Sequence, residues 1–213
     1  MKKYLKEIEV YSYNELEGKA RNRVNTMYFD SKVDCDADYF KDYVREDLKE
    51  KWGVTDLEMY YSLTYSQGDG VCLDGYVSFA DILANENLRK AVVGDDRLAY
   101  EVKENEKVLR ELLDGFQLTH SGSYYHANMV YIEPNDDPYP DEYTDDIKNI
   151  IIELWDYFKD WYFERCREYE KVGYKMFYEY SDDDVKEWIE ANDYAFDEYG
   201  DLVGCYADLK EVA

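Results

Sequence analysis

Three prolines in 213 residues, all between positions 134 and 140, leave almost the whole chain free to form regular structure. There are two histidines, His120 and His126, too few for histidine-rich metal chemistry. The four cysteines, Cys35, Cys72, Cys166 and Cys205, lie far apart with no C-x-x-C pair. That spacing supports neither a zinc site nor a dense disulfide framework, so reduced thiols in a cytosol are expected. No stretch approaches the ~18 apolar residues of a membrane span, and Lys2 and Lys3 are followed by no apolar secretory region. The expectation is a protein of the cytoplasm, neither secreted nor membrane-embedded.

What is abundant is acid and tyrosine. Fifty Asp and Glu residues face 25 Lys and Arg residues, a net charge of −25, yet 46% of the chain is hydrophobic and 17% aromatic, so a packed core is affordable and a disordered acidic tail is excluded. Solubility alone needs a net charge of only a few units. A field of this sign repels nucleic acid and phospholipid headgroups and attracts basic protein surfaces. Direct nucleic-acid and membrane binding are therefore disfavoured, and a basic protein partner is expected.

The charge is uneven. Residues 1–132 carry 25 acidic and 17 basic residues, net −8, whereas residues 133–213 carry 25 and 8, net −17. The boundary falls at the proline segment, so the sequence predicts an α+β part over 1–132 and an acidic, mostly helical part over 133–213. Ile8, Val10 and Tyr11 suggest a short strand. Ser12-Tyr13-Asn14-Glu15 has capping-box spacing ahead of a helix to about Tyr28, and a second helix is expected from about Asp36 to Trp52 with Gly53 as its stop. The segments 57–65 and 71–79, joined by Ser66-Gln67-Gly68-Asp69-Gly70, read as an antiparallel hairpin. Helices over about 80–92 and 97–113 and a second hairpin pairing 116–121 with 127–132 follow. Beyond the prolines, Ile147, Ile151, Leu154, Trp155, Phe158, Tyr162, Cys166 and Tyr169 trace the stripe of one long helix from about Thr144 to Val172, stopped at Gly173. Ser181 opens another helix, and 194–203 closes the chain as a small hairpin turning at Gly200. The fold class is thus α+β, antiparallel hairpins with flanking helices.

The chemistry-bearing patterns are weak. Gln67-Gly68-Asp69-Gly70 lies between strands, whereas a phosphate loop needs a strand-to-helix setting, so a hairpin loop is the expectation. His120 and His126 flank Ser121 and Ser123 without the elbow or orienting third group that a nucleophile requires. The acidic run Asp136, Asp137, Asp141, Glu142, Asp145, Asp146 lacks the glycine of a calcium loop and is broken by proline. No catalytic residue, cofactor or metal ligand is assigned.

Charge on the long helix is the pattern that points to a partner. Glu153, Asp156, Asp160, Glu164 and Glu168 recur at three- and four-residue steps, about 6 Å apart along a helix. A duplex presents a phosphate on each strand every ~3.4 Å, so such a ladder can offer charges of the right sign to a basic groove. Lys159, Arg165, Arg167 and Lys171 can pair with some of these carboxylates. Asp145 and Asp146, and Asp182, Asp183 and Asp184 at the next helix start, extend the acidic set. Tyr162 and Tyr169, among 25 tyrosines, join it as candidate partner contacts, because acid-plus-aromatic surfaces hold arginine by charge and stacking.

Tyr13-Asn14-Glu15-Leu16 with Ala20-Arg21, the Tyr65–Cys72 hairpin turn, and Asn192-Asp193-Tyr194-Ala195-Phe196 together resemble small proteins encoded by bacteriophages and prophages, some labelled antitoxins of toxin–antitoxin systems. Val71 departs from the alanine usual there, and the acidic long helix is a further departure. The resemblance implies an anti-defence role in a host cell. With the charge, it leads to the expectation of a non-enzymatic inhibitor of a host nucleic-acid-binding defence complex such as a CRISPR-Cas effector. An antitoxin-like neutraliser of a basic toxin and a carboxylate-dependent hydrolase are the alternatives. Nothing in the residues fixes the oligomeric state.

Overall fold

The computed structural model describes residues 8–135 and 144–209. It is an α+β protein, as expected, with two compact units: Tyr39–Lys175, and Met1–Asp38 with Met176–Ala213. The units do not divide at the proline segment as the charge did. The long helix expected to found a separate acidic part contributes its first thirty or so residues to the same unit as the hairpins.

In the larger unit, β1 (Leu57–Ser62), β2 (Gly70–Ser78), β3 (Gly115–His120) and β4 (Val130–Asn135) form an antiparallel sheet in the order β1-β2-β3-β4. The registers Met59↔Leu73 and Leu118↔Ile132 put both expected hairpins in place, and Val77↔Phe116 joins one to the other. Alternation along β3 and β4 sends Phe116, Leu118, Val130 and Ile132 to one buried face. Helix α6 (Asp145–Tyr178) covers it: Ile147, Ile151, Leu154, Phe158, Tyr162, Cys166 and Tyr169 are all buried, and Phe158 stacks on Phe116 with ring centroids 4.4 Å apart. The Trp155 indole donates to the Ile132 carbonyl at 2.8 Å.

Between β2 and β3 run four short helices, α2 (Phe79–Ala84), α3 (Glu86–Val93), α4 (Asp96–Glu104) and α5 (Glu106–Leu112), where two longer ones were expected. Asn85 breaks the first pair: its backbone is extended and its side chain accepts from the Leu88 amide at 2.9 Å, so a residue that favours caps ends one helix and starts the next. Asn105 interrupts the second pair.

Helix α1 (Gly18–Glu46) is continuous across the gap expected after Tyr28. Phe29–Cys35 contains no glycine or proline to stop it, and Lys32 pairs with Asp36 one turn on. A single widened π-turn over Asp47–Lys51 ends it, and Gly53 then takes φ 69°, the stop that was expected. Helix α6 also outruns its expected end. Gly173 sits inside it because a Cβ there would lie 2.4 Å from Leu63 Cδ1 and 2.9 Å from Phe40 Cζ; the glycine permits close packing instead of terminating the helix.

In the smaller unit, Tyr13, Leu16, Val24, Tyr28, Val185, Ile189 and Phe196 form one core cluster. Helix α7 (Asp182–Ala191) opens on a reciprocal capping box between Ser181 and Asp184. The Ser12–Glu15 pair forms a turn instead, with the Ser12 amide donating to Glu15 at 2.8 Å, and the helix begins at Gly18. Strands β5 (Tyr194–Phe196) and β6 (Leu202–Cys205) make the terminal hairpin, turning at Gly200 with φ 77°. The expected N-terminal strand is reduced to one bridge, Tyr11 to Phe196.

Replacing Gly173 with alanine gains about 1 kcal/mol of helix propensity but forces a methyl against Leu63 and Phe40, an overpacking that costs about 1–3 kcal/mol. G173A is expected to lower the urea midpoint despite the helical gain; an unchanged or raised midpoint would show that Leu63 and Phe40 yield freely.

Candidate interaction surfaces

Helix α6 is less acidic than the halves of the chain implied. Its full span holds eight acidic and six basic residues, net −2, because Lys148, Lys159, Arg165, Arg167, Lys171 and Lys175 all lie on it. The ladder carboxylates point to solvent but are largely engaged. Glu153 meets Arg97, which also holds Glu101 at 2.8 Å. Asp156 pairs with Lys159 at 2.6 Å, and Arg165 holds Glu164 at 3.2 Å and Glu168 as well. Asp160 alone of the five has no ion pair among the described residues. Asp145 and Asp146 are exposed in the first turn, where the helix dipole favours acid.

The excess lies beyond α6. Residues 179–209 contain eleven acidic residues and one basic residue, Lys186. This stretch belongs to the smaller unit: α7, the hairpin and the turn after it. Some of its carboxylates have structural duties. Asp182 accepts from Arg21 at 2.6 Å and from the Tyr13 hydroxyl at 3.0 Å, and Asp184 is lowered in pKa by the Ser181 backbone and hydroxyl that it caps. Asp183 pairs with Lys186 at 2.9 Å yet its side chain stays 83% exposed. Asp197 accepts the Tyr199 and Asp201 amides at 2.9 Å, shaping the turn, and Asp201 meets Arg23 at 2.7 Å. Glu179, Glu187, Glu190, Glu198 and Asp208 are exposed with no ion pair among the described residues, beside the exposed Tyr180, Tyr199 and Tyr206. The Glu198 carboxylate raises the Tyr199 hydroxyl above its ordinary pKa. Counting charge by helix instead of by half of the chain would have found these residues in the sequence.

Tyr162 and Tyr169 correct the expectation that they contact a partner. Both are buried, at 0% and 2% exposure, on the core face of α6. Burial drives both phenols far above the ordinary tyrosine range; for Tyr169 the Asp47 carboxylate, which accepts its hydroxyl at 2.7 Å, adds to the effect. Asp47 also accepts from the Trp52 indole at 3.1 Å, and the Arg165 guanidinium lies over that indole at 4.5 Å. The π-turn at the end of α1 thus closes a buried polar knot. Burial also pushes the Cys166 thiol up to about 12 and the Cys72 thiol up to about 11, so neither is a nucleophile near neutral pH.

The hairpin loop at residues 63–69 is held by Asp69. Its carboxylate accepts from Ser62 Oγ at 2.7 Å, the Ser66 amide at 2.7 Å and the Thr64 amide at 2.5 Å. Gly68 takes φ 89° against the Tyr124 ring. His120 Nε2 lies 2.9 Å from the Tyr124 carbonyl and His126 Nδ1 accepts from the Asn128 amide at 3.1 Å, so both histidines serve the second loop. Among the described residues no three His, Cys, Asp or Glu side chains gather as a metal site, and no helix is long and apolar enough to cross a membrane. Most of the acidic run after Pro134, residues 136–143, lies outside the described residues.

A family model matches residues 32–175, nearly the span of the larger compact unit. The chain belongs to the family described as Domain of unknown function (DUF8835). No curated protein and no solved structure matches it. The DUF8835 segment contains the sheet, the four short helices and most of α6; the acidic stretch 179–209 follows it.

Burial raises the pKa of the Asp69 carboxyl, and the bonds from Ser62, Ser66 and Thr64 outweigh this and leave it below the ordinary value. A carboxyl lowered in the folded state stabilises above its unfolded pKa and loses that contribution as pH falls through its folded pKa. Asp69→Ala is expected to lower the hydrogen-exchange protection factors of the Thr64 and Ser66 amides at neutral pH, and acidification below the ordinary carboxylate range should lower the same protection factors, taken against the intrinsic rate at each pH, in the unaltered chain. Unchanged exchange at both amides in D69A would show that the loop holds itself.

Proposed function

We propose that this DUF8835 protein is a non-enzymatic binding protein that presents acidic, tyrosine-bearing surface to a basic protein partner and so competes with nucleic acid for it. The observation that carries this reading is the stretch 179–209, with eleven acidic residues to one basic, mostly exposed and interleaved with Tyr180, Tyr199 and Tyr206. Unpaired exposed carboxylates attract arginine and lysine at a distance, and neighbouring phenol rings stack on guanidinium planes once contact is made. The ladder on α6 adds to the field in a different way. Asp160 has no ion pair among the described residues, and Asp156, 63% exposed, meets Lys159 in a surface pair worth only about 0–1 kcal/mol, so a partner's cations can displace that lysine.

The narrower form of the proposal is an inhibitor encoded by a phage and acting in the host cytoplasm on a nucleic-acid-binding defence complex, with a CRISPR-Cas effector as the instance to test. That form rests on charge and on the phage-protein resemblance. In it, Asp182, Asp183 and Asp184 act mainly as the frame of α7, and Glu187, Glu190 and Glu198 act as the exposed contacts.

The test is displacement of labelled duplex DNA from such an effector. The chain is expected to compete, with affinity falling at least about tenfold between ~50 and ~200 mM salt. The triple variant E187K, E190K, E198K should compete at least about tenfold less well while its thermal midpoint holds, since none of the three is ion-paired among the described residues. Competition that ignores both salt and charge reversal would remove the electrostatic mechanism, and DNA cleavage abolished by one carboxylate substitution would make the protein a hydrolase instead.

A further inference from the structure

A groove of about 730 Å³ opens in the larger unit between the last turns of α1 and strand β1. Five consecutive β1 residues, 57–61, line it. Side chains alternate between faces along a strand, so a wall made of consecutive residues is the strand's edge, backbone included, and not one of its faces. The topology agrees: among the described residues β1 is the outermost strand of the sheet and is paired on one side only, to β2. An edge that long is a template for another extended segment. Here it runs along a floor of buried Val44 and Leu48 and a helical wall bearing Lys41 and Arg45, and Tyr125 closes the lining. The Tyr125 ring stacks near Tyr60 and His120, with centroids 6.1 and 5.6 Å away.

We propose that this groove takes an extended acidic peptide segment of a partner protein as a fifth strand beside β1. Three observations select this occupant. Along the six residues of β1, about 20 Å, alternate residues turn their backbone donors and acceptors away from β2, which suits a segment of like length. The half-buried Leu57 and Met59, over buried Val44 and Leu48, give the inward side chains of such a segment an apolar seat. The charge is the reverse of the chain's as a whole: the lining carries Lys41 and Arg45 against Glu58 alone, in a protein of net charge −25. Glu58 is already capped by the Tyr60 hydroxyl at 2.9 Å, Arg45 holds only the exposed Asp42 at 2.7 Å, and Lys41 has no ion pair among the described residues. A basic segment would meet the uncompensated Lys41 there, with Arg45 held only by an exposed pair that an acidic segment can exchange, so an acidic one is drawn in. The groove lies wholly within the matched residues 32–175, apart from the acidic stretch 179–209, so it stands whether or not that stretch binds anything.

The probe is a fluorescein-labelled library of acetylated hexapeptides in which valine, leucine or tyrosine alternates with glutamate, titrated against the full chain by polarisation. Saturable binding by at least one member is expected. Two derivatives of the best member, N-methylated on one or the other alternating set of amides, should then differ: one set faces β1 and its methylation weakens binding about tenfold or more, while the other set faces solvent and tolerates it. The exposed double reversal K41E, R45E should weaken the parent peptide by about tenfold with its circular dichroism unchanged. Absence of saturable binding by every member, equal affinity of the two methylated derivatives, or indifference to the charge reversal would each overturn the proposal.

Discussion

Where Phe116 on β3 meets Phe158 on α6, ring against ring at 4.4 Å, the larger unit acquires both its core and its geometry. The sheet has one apolar face, and a helix long enough to cross it must present a matching stripe at 3.6-residue spacing. Ile151, Leu154, Phe158, Tyr162, Cys166 and Tyr169 do so without interruption, every one of them buried. Once that stripe is committed to the sheet, the positions between its members are forced outward, and those are the positions that carry Asp156, Asp160, Glu164 and Glu168. The acidic ladder is therefore a consequence of the same periodicity that makes the core, and its regular spacing is no independent evidence of a partner.

One residue resists that division. Arg165 lies on the buried face with 5% of its side chain exposed, and among the described residues its Nε has no hydrogen-bond partner. A buried guanidinium is costly unless it is paired and stacked. Glu164 and Glu168 reach in from the exposed side, the Trp52 ring covers the plane, and Asp47 stands close by through Trp52 and Tyr169. The widened turn at Asp47–Lys51 belongs to this arrangement, since it is where α1 delivers Asp47 and Trp52 together. Two of the five ladder carboxylates are thus anchors for an internal cation as much as they are surface charge.

The strands, both hairpins and the α6 stripe were legible because each follows from a local period or a turn composition. Gly173, Asn85 and the joint after Tyr28 misled for the opposite reason. A glycine inside a helix is indistinguishable from a stop until Phe40 and Leu63 are seen against it, and Asn85 becomes a cap only when the chain turns there. The polar stretch after Phe29 looks like a break until the helix proves continuous through it. Tyr162 and Tyr169 were misplaced by composition: a tyrosine between carboxylates in sequence reads as surface, although its position in the stripe with Phe158 and Cys166 already assigned it to the core.

Charge was legible in amount but not in place. Dividing the chain at its prolines credited α6 with an excess that belongs to residues 179–209, beyond the end of the helix at Tyr178. The distinction matters because the two kinds of carboxylate behave differently toward a cationic partner. Most of the ladder carboxylates on α6 must first exchange a local lysine or arginine, so their net gain on binding is small, whereas Glu187, Glu190 and Glu198 have no ion pair among the described residues to exchange. The smaller unit, not the long helix, is consequently where electrostatic attraction is least compensated. The groove beside β1, where Lys41 and Arg45 outnumber Glu58, is a place where the sign reverses. A protein that carries uncompensated acid in one unit and a cationic, strand-edged groove in the other has two chemically distinct ways to hold a partner, and salt weakens the first more than a contact made of backbone hydrogen bonds.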